Sequence, residues 1–174
     1  MPDASNVALP ANYPVIASTP PVPTTSRATR CGLAGRSGRL HSGKPVLTYA
    51  SGKNVVIRSF KLDEPLLPTT ASKLPVLVYR GHAVAATAAE ISCSGAYVAS
   101  GDERGKLRVW ALDHEEHLCK FDGPALSGPI LDISWDGESK RLAVAGERTD
   151  AQSDGARVLQ YDTGVSVGQL GQHV

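Results

Sequence analysis

Past residue 44 the chain is a succession of short β-forming runs separated by Gly, Asp and Ser turns, and the succession repeats. Val46-Leu47-Thr48-Tyr49, Ser51-Gly52-Lys53-Asn54 and Val55-Val56-Ile57-Arg58 read as strand, turn and strand of a hairpin. Leu62 to Pro75 holds Pro65, Pro68 and Pro75 and reads as a loop, after which Val76 to Tyr79 is a strand. Ala83 to Ile91, Ala96 to Ser100, Lys106 to Trp110 and His117 to Phe121 then form four strand candidates. The turns between them are Ser92-Cys93-Ser94-Gly95, Gly101-Asp102-Glu103-Arg104-Gly105 and a turn near Asp113. Pro129 to Trp135, Arg141 to Gly146, Ala156 to Asp162 and Val165 to Leu170 repeat the set. Aligning Ser100-Gly101 with Ala145-Gly146 gives a period of 45 residues. Aligning Trp110 with Tyr161 gives 51, because the turn from Glu147 to Gly155 is longer. No stretch carries a helical period, so the expected fold is all-β.

In Lys106 to Trp110, Leu107 and Val109 alternate with Lys106, Arg108 and Trp110, as a two-faced strand requires, with Trp110 amphipathic at its end. A single four-stranded unit cannot bury both faces. Stacking such units around an axis covers them, and a closed ring leaves only short outer edges. The period, Gly81-His82 near the start of a unit and Trp110 closing its third strand resemble a WD40 β-propeller blade.

Longer strings narrow the resemblance. Ser94 to Asp102, Gly105 to Trp110, Ser127 to Asp136, Glu138 to Ala143 and Tyr161 to Gly168 closely resemble the second and third blades of the actin-interacting protein 1 family. The resemblance is strong over roughly residues 79–174, weaker over 44–78 and absent over 1–25. It implies four-stranded antiparallel blades at about 26–80, 81–122 and 123–170, behind an irregular Pro-rich arm at 1–25. Family members carry two seven-bladed propellers. Three blades do not close a ring, so 26–174 reads as a partial propeller of an N-terminal fragment, with the start of a fourth blade at its end.

The structural positions implied are Gly81, His82, Ser100, Trp110, Trp135 and Asp136. Trp110 is followed by Ala111 rather than Asp, and Arg104 stands at the turn position where many repeats carry a structural Asp. The hydrogen-bonded His–Ser–Asp–Trp arrangement therefore reads as incomplete, leaving His82, Ser100 and Trp110.

The overall net charge of +1 hides a split. Residues 1–60 hold seven Lys/Arg and one acid, and residues 61–174 hold eleven and sixteen. The arginine-containing start has a transit-like composition, but six prolines by Pro23 disfavour the amphipathic helix of a transit peptide. Cys31, Cys93 and Cys119 are an odd number, far apart and with no CxxC, which suits a reducing compartment and argues against a disulfide framework or zinc ribbon. No apolar run approaches the roughly 18–20 residues of a membrane helix. Arg27, Arg30, Arg36 and Arg39 lack interleaved aromatics, so neither nucleic acid nor membrane is an expected partner.

Catalytic motifs are missing as well. His114-Glu115-Glu116-His117 has i, i+3 spacing in a turn, not the i, i+4 helical spacing that aims two imidazoles at one zinc, and Cys119 adds only a sequence-local thiol. Gly101 to Lys106 is one residue short of a phosphate loop, leads into a strand, and is followed by Leu107 where a hydroxyl would meet Mg²⁺. Asp132 and Asp136, around Trp135, read as turn and surface carboxylates. The expectation is a non-enzyme without cofactor.

The resemblance implies binding to actin filaments decorated with cofilin (actin-depolymerising factor), promoting severing and disassembly in the cytoplasmic, cortical actin cytoskeleton. A general WD40 interaction scaffold in a non-actin complex is the alternative. Propeller partners dock on loops held by a rigid frame. Glu147 and Arg148 match the start of a charged turn of the family, with Asp150 in the place of its last acid; Asp102 and Glu103 lie on another inter-strand turn.

Overall fold

The computed structural model describes residues 31–33, 46–59, 76–112, 117–149 and 154–169. The Pro-rich arm, the 62–75 loop, residues 113–116 and Asp150 lie outside the described residues. Among the described residues, twelve strands form three sheets of four. The first holds β1 (Cys31–Leu33), β2 (Val46–Ser51), β3 (Asn54–Ser59) and β4 (Val76–Tyr79). The second holds β5 (Ala86–Ile91), β6 (Tyr97–Asp102), β7 (Lys106–Ala111) and β8 (Cys119–Pro124). The third holds β9 (Ile130–Trp135), β10 (Arg141–Gly146), β11 (Ala156–Gln160) and β12 (Ser166–Gln169). Each sheet is an antiparallel meander of sequence neighbours. The all-β expectation of WD40 blades holds.

Strand ends follow local chemistry. Ser51 pairs with Asn54 across a two-residue turn that Gly52 enters at φ +56, a conformation glycine adopts without a Cβ penalty. β11 stops at Gln160, two residues before the sequence reading, because Gly164 N–H turns back onto the Gln160 carbonyl at 2.9 Å.

The second sheet is covered on both faces along β5, β6 and β7, while β8 is largely exposed. Ile91, Val98, Trp110 and Leu112 pack with Val46, Val55, Ile57, Leu77 and Tyr79 of the first sheet. Ala88, Ala99, Leu107 and Val109 pack on the other side with Ile130, Ile133, Trp135, Leu142 and Leu159 of the third. The alternation in β7 therefore separates two cores rather than core from water. Trp110 is not amphipathic at a strand end; it is fully buried. β5 lies against β2 and, less closely, β1, and β9 lies against β5 and β6, so the sheets meet along their first two strands.

Register corrects the repeat. Ile91 pairs with Val98 as Trp135 pairs with Leu142, so the two sheets superpose 44 positions apart, not 45. Val98 faces Trp110, and Leu142 faces Leu159, so the counterpart of Trp110 is Leu159, not Tyr161. Ser100 then corresponds to Val144 and Asp102 to Gly146. Ala145-Gly146 imitates Ser100-Gly101 in sequence while standing one residue out of register.

Candidate functional site

Two features of the second and third sheets concern function: a buried polar chain and one end of the sheets where turns gather. The polar chain begins at Trp110, whose indole Nε1–H donates to Ser100 Oγ at 3.3 Å. Ser100 Oγ lies 2.7 Å from His82 Nε2, and His82 Nδ1 lies 3.3 Å from Asp102 Oδ2. One tautomer satisfies every group. With the proton on Nδ1, His82 donates to Asp102 and accepts the Ser100 hydroxyl proton, leaving Ser100 Oγ to accept from Trp110. Exposure is 0% for Trp110 and Ser100, 2% for Asp102 and 4% for His82.

The arrangement is complete, contrary to the sequence reading, and Asp102 rather than position 104 supplies its carboxylate. The signal was present in the sequence. Residues i and i+2 of a strand share a face, so Ser100 and Asp102 follow Val98 toward the first sheet. Asp102 also shapes the turn after it, since its Oδ1 accepts the backbone N–H groups of Arg104 at 2.9 Å and Lys106 at 3.1 Å. A carboxylate read as a surface charge is thus an internal brace.

Ser100, His82 and Asp102 have the connectivity of a hydrolase triad, but Ser100 Oγ is enclosed and already bonded to an indole. It meets no substrate. Gly81 leaves room for the Tyr79 ring beside it, because an added Cβ would run into the ring's hydroxyl end and displace the Arg108 guanidinium.

Burial holds the His82 pKa below its usual value, with Asp102 opposing that shift. The unfolded chain then binds the proton more readily. Stability from this residue is full above the unfolded pKa of about 6.5 and is lost as pH falls through the lower folded value. Melting temperature is expected to fall between pH 7 and pH 5 more steeply in the wild type than in His82→Gln. Parallel curves would contradict this.

The other sequence-selected positions serve the frame. Trp135 Nε1–H donates to the Glu90 carbonyl of the second sheet at 3.2 Å. Asp136 Oδ1 accepts the Lys140 N–H at 2.7 Å and closes the β9–β10 turn. A contact missed in sequence lies beside it: Ser139 Oγ accepts the Ser94 N–H of the second sheet at 2.9 Å.

Backbone hydrogen bonds stitch the remaining turns into one end. Ala86 N–H meets Gly52 O at 2.8 Å, and Glu103 N–H meets Ala85 O at 3.0 Å. Ala125 N–H meets Gly105 O at 2.9 Å, and Glu147 N–H meets Pro129 O at 2.9 Å. Glu103 and Arg148 are exposed there and Glu147 is half-buried. The structure thus gathers Glu103, Glu147 and Arg148 at one end and keeps Asp102 inside.

No family model matches the chain. Among curated proteins, WD repeat-containing protein 1-A of Xenopus laevis is 40% identical over 122 residues, 70% of this chain and 18% of that protein. WD repeat-containing protein 1 of Mus musculus is 39% identical over 125 residues, 72% of this chain and 18% of that protein. The chain belongs to the WD repeat-containing protein 1 family. The 66 kDa stress protein of Physarum polycephalum is 38% identical over 153 residues, 88% of this chain and 22% of its own length. The matched part thus spans about a fifth of these relatives. Membership gives the three meanders their class, since they are blades of the WD repeat type.

Proposed function

We propose that the protein binds actin filaments decorated with cofilin and promotes their severing and disassembly, as a non-catalytic component of the cytoplasmic, cortical actin cytoskeleton. The observation that carries this reading is the 36–40% identity to proteins named WD repeat-containing protein 1, whose family strings run through the second and third blades. The fold suits such a role. A rigid stack of sheets presents Glu103, Glu147 and Arg148 at one end, and large enclosed side chains hold those turns in place.

Glu147, Arg148 and Glu103 are the partner-facing residues of this reading. Asp150 joins them by sequence, and Asp102 acts through the turn it braces. Glu147 suits a test, because its backbone N–H is bonded to Pro129 O and a side-chain change leaves that bond in place. Glu147→Lys is expected to slow cofilin-dependent severing on the order of ten-fold, measured by filament microscopy. Unchanged severing would remove Glu147 from the surface. Wild-type protein without effect on decorated filaments would turn the reading toward a scaffold in a non-actin complex.

A further inference from the structure

Two glycines let the turns of this end press directly against one another. Gly105 closes the β6–β7 turn at φ +79, and its carbonyl accepts the N–H groups of Ala125 at 2.9 Å and Leu126 at 3.1 Å. An added Cβ on Gly105 would run into the Leu126 carbonyl and stand 2.7 Å from the Gly128 carbonyl. An added Cβ on Gly128 would run into the Glu147 carbonyl and stand 3.2 Å from Thr149 Cγ2. The link of residues 125–129 is thus held between the turn that carries Glu103 and the segment that carries Glu147 and Arg148.

The two glycines answer different needs. Gly105 has a left-handed backbone, which favours glycine by itself. The Gly128 backbone lies outside that region, and the residue is buried, so glycine supplies room for the Glu147 carbonyl there. The 44-residue offset between the sheets shows that a blade does not require this glycine. The bond from Glu103 N–H to Ala85 O recurs as Glu147 N–H to Pro129 O, and Val84 stands where the third sheet has Gly128. The exchange accompanies a longer turn: residues 103–105 join β6 to β7, whereas residues 147–155 join β10 to β11. On either side of Gly128, Leu126 and Ile130 are 5% and 0% exposed, while Arg148 and Thr149 are exposed. A methyl group at position 128 therefore displaces residues 147–149 rather than the anchored link.

We infer that Gly128 is a positioning residue of the partner-facing end: it lets residues 147–149 settle on the link and so fixes Glu147 and Arg148 relative to Glu103. The inference rests on the proposal that this end faces the partner, and it adds a residue that itself touches no partner. A preorganised segment binds without the cost of ordering it at contact. Displacing it weakens binding and leaves the step after binding unchanged.

The test compares the wild-type chain with Gly128→Ala and with the control Gly137→Ala, whose added Cβ meets nothing within 4 Å on the β9–β10 turn. Amide hydrogen exchange followed by NMR reads the Glu147 N–H, which bonds Pro129 O, beside the amides of β10. Gly128→Ala is expected to exchange on the order of ten-fold faster at Glu147 and at the wild-type rate along β10, with Gly137→Ala unchanged throughout. Severing of cofilin-decorated filaments is then read against protein concentration. Gly128→Ala is expected to need on the order of five-fold more protein for half-maximal severing and to reach the wild-type plateau. In the Glu147→Lys background the same substitution is expected to change severing by less than about two-fold, because it acts through Glu147. An unchanged Glu147 amide, equal acceleration along β10, wild-type severing by Gly128→Ala, or a double-variant loss that multiplies the two single losses would overturn the inference. Wild-type severing by Gly128→Ala beside slowed severing by Glu147→Lys would leave the filament reading standing. If wild type ignores filaments while the Glu147 amide responds as expected, the filament reading fails and the placement of residues 147–149 by Gly128 stands.

Discussion

Replacing Trp110 by alanine is expected to lower the unfolding free energy by about 3–5 kcal/mol. The indole is fully buried and stacks on Tyr79 with ring centroids 4.2 Å apart and planes 10° from parallel. His117 meets it edge-on at 5.4 Å. Tyr79 belongs to β4 and Trp110 to β7, so the pair ties the first sheet to the second. Truncation removes that tie, opens a cavity, and takes away the donor to Ser100 Oγ. Domains are stable by only about 5–15 kcal/mol, so one such loss is a large share of the total. Trp110→Phe keeps a stacking ring and loses the donor, and its expected cost is about 1–2 kcal/mol beyond any repacking. Urea denaturation followed by circular dichroism measures both. An unchanged midpoint for Trp110→Ala would show that the stack does not hold the sheets together.

The strands were largely readable because their chemistry is local. β4 and β10 have the bounds read from sequence, where short apolar runs end at turn residues. What escaped depends on partners distant in sequence. Ala145-Gly146 matches Ser100-Gly101 by composition, and only the pairing of Trp135 with Leu142 reveals that the true offset is one residue shorter. Asp102 sits next to Glu103, and both resemble turn charges. Burial of the first follows from His82, twenty positions earlier, which no local pattern announces. Glu103, Glu147 and Arg148 were read on separate inter-strand turns, and their gathering at one end follows from backbone bonds such as Ala125 N–H to Gly105 O and Glu147 N–H to Pro129 O, which no local pattern announces.

The third sheet shows that the same place in a blade can be filled without polar atoms, and this shapes the second large effect. Val144, Gly146 and Leu159 stand where the second sheet has Ser100, Asp102 and Trp110, and Leu126 lies against Gly146 as His82 lies against Asp102. Val144 and Leu159 are buried in one apolar cluster with Leu126. Asp102→Ala in the second sheet leaves His82 Nδ1–H enclosed without an acceptor and frees the Arg104 and Lys106 N–H groups. Its expected cost is about 2–4 kcal/mol, of which about 1–3 is the enclosed His82 N–H left without an acceptor and the rest the loosened turn. Asp102→Asn still offers an oxygen to the turn and is expected to lose less. Replacing the set together, with His82→Leu, Ser100→Val, Asp102→Gly and Trp110→Leu, removes donors and acceptors at once. The quadruple variant is therefore expected to lose markedly less stability than the four single variants added together. Thermal and urea unfolding of the five proteins measure the difference. Additive losses would mean that the four groups contribute independently, and that the chain from Trp110 to Asp102 is not a cooperative unit.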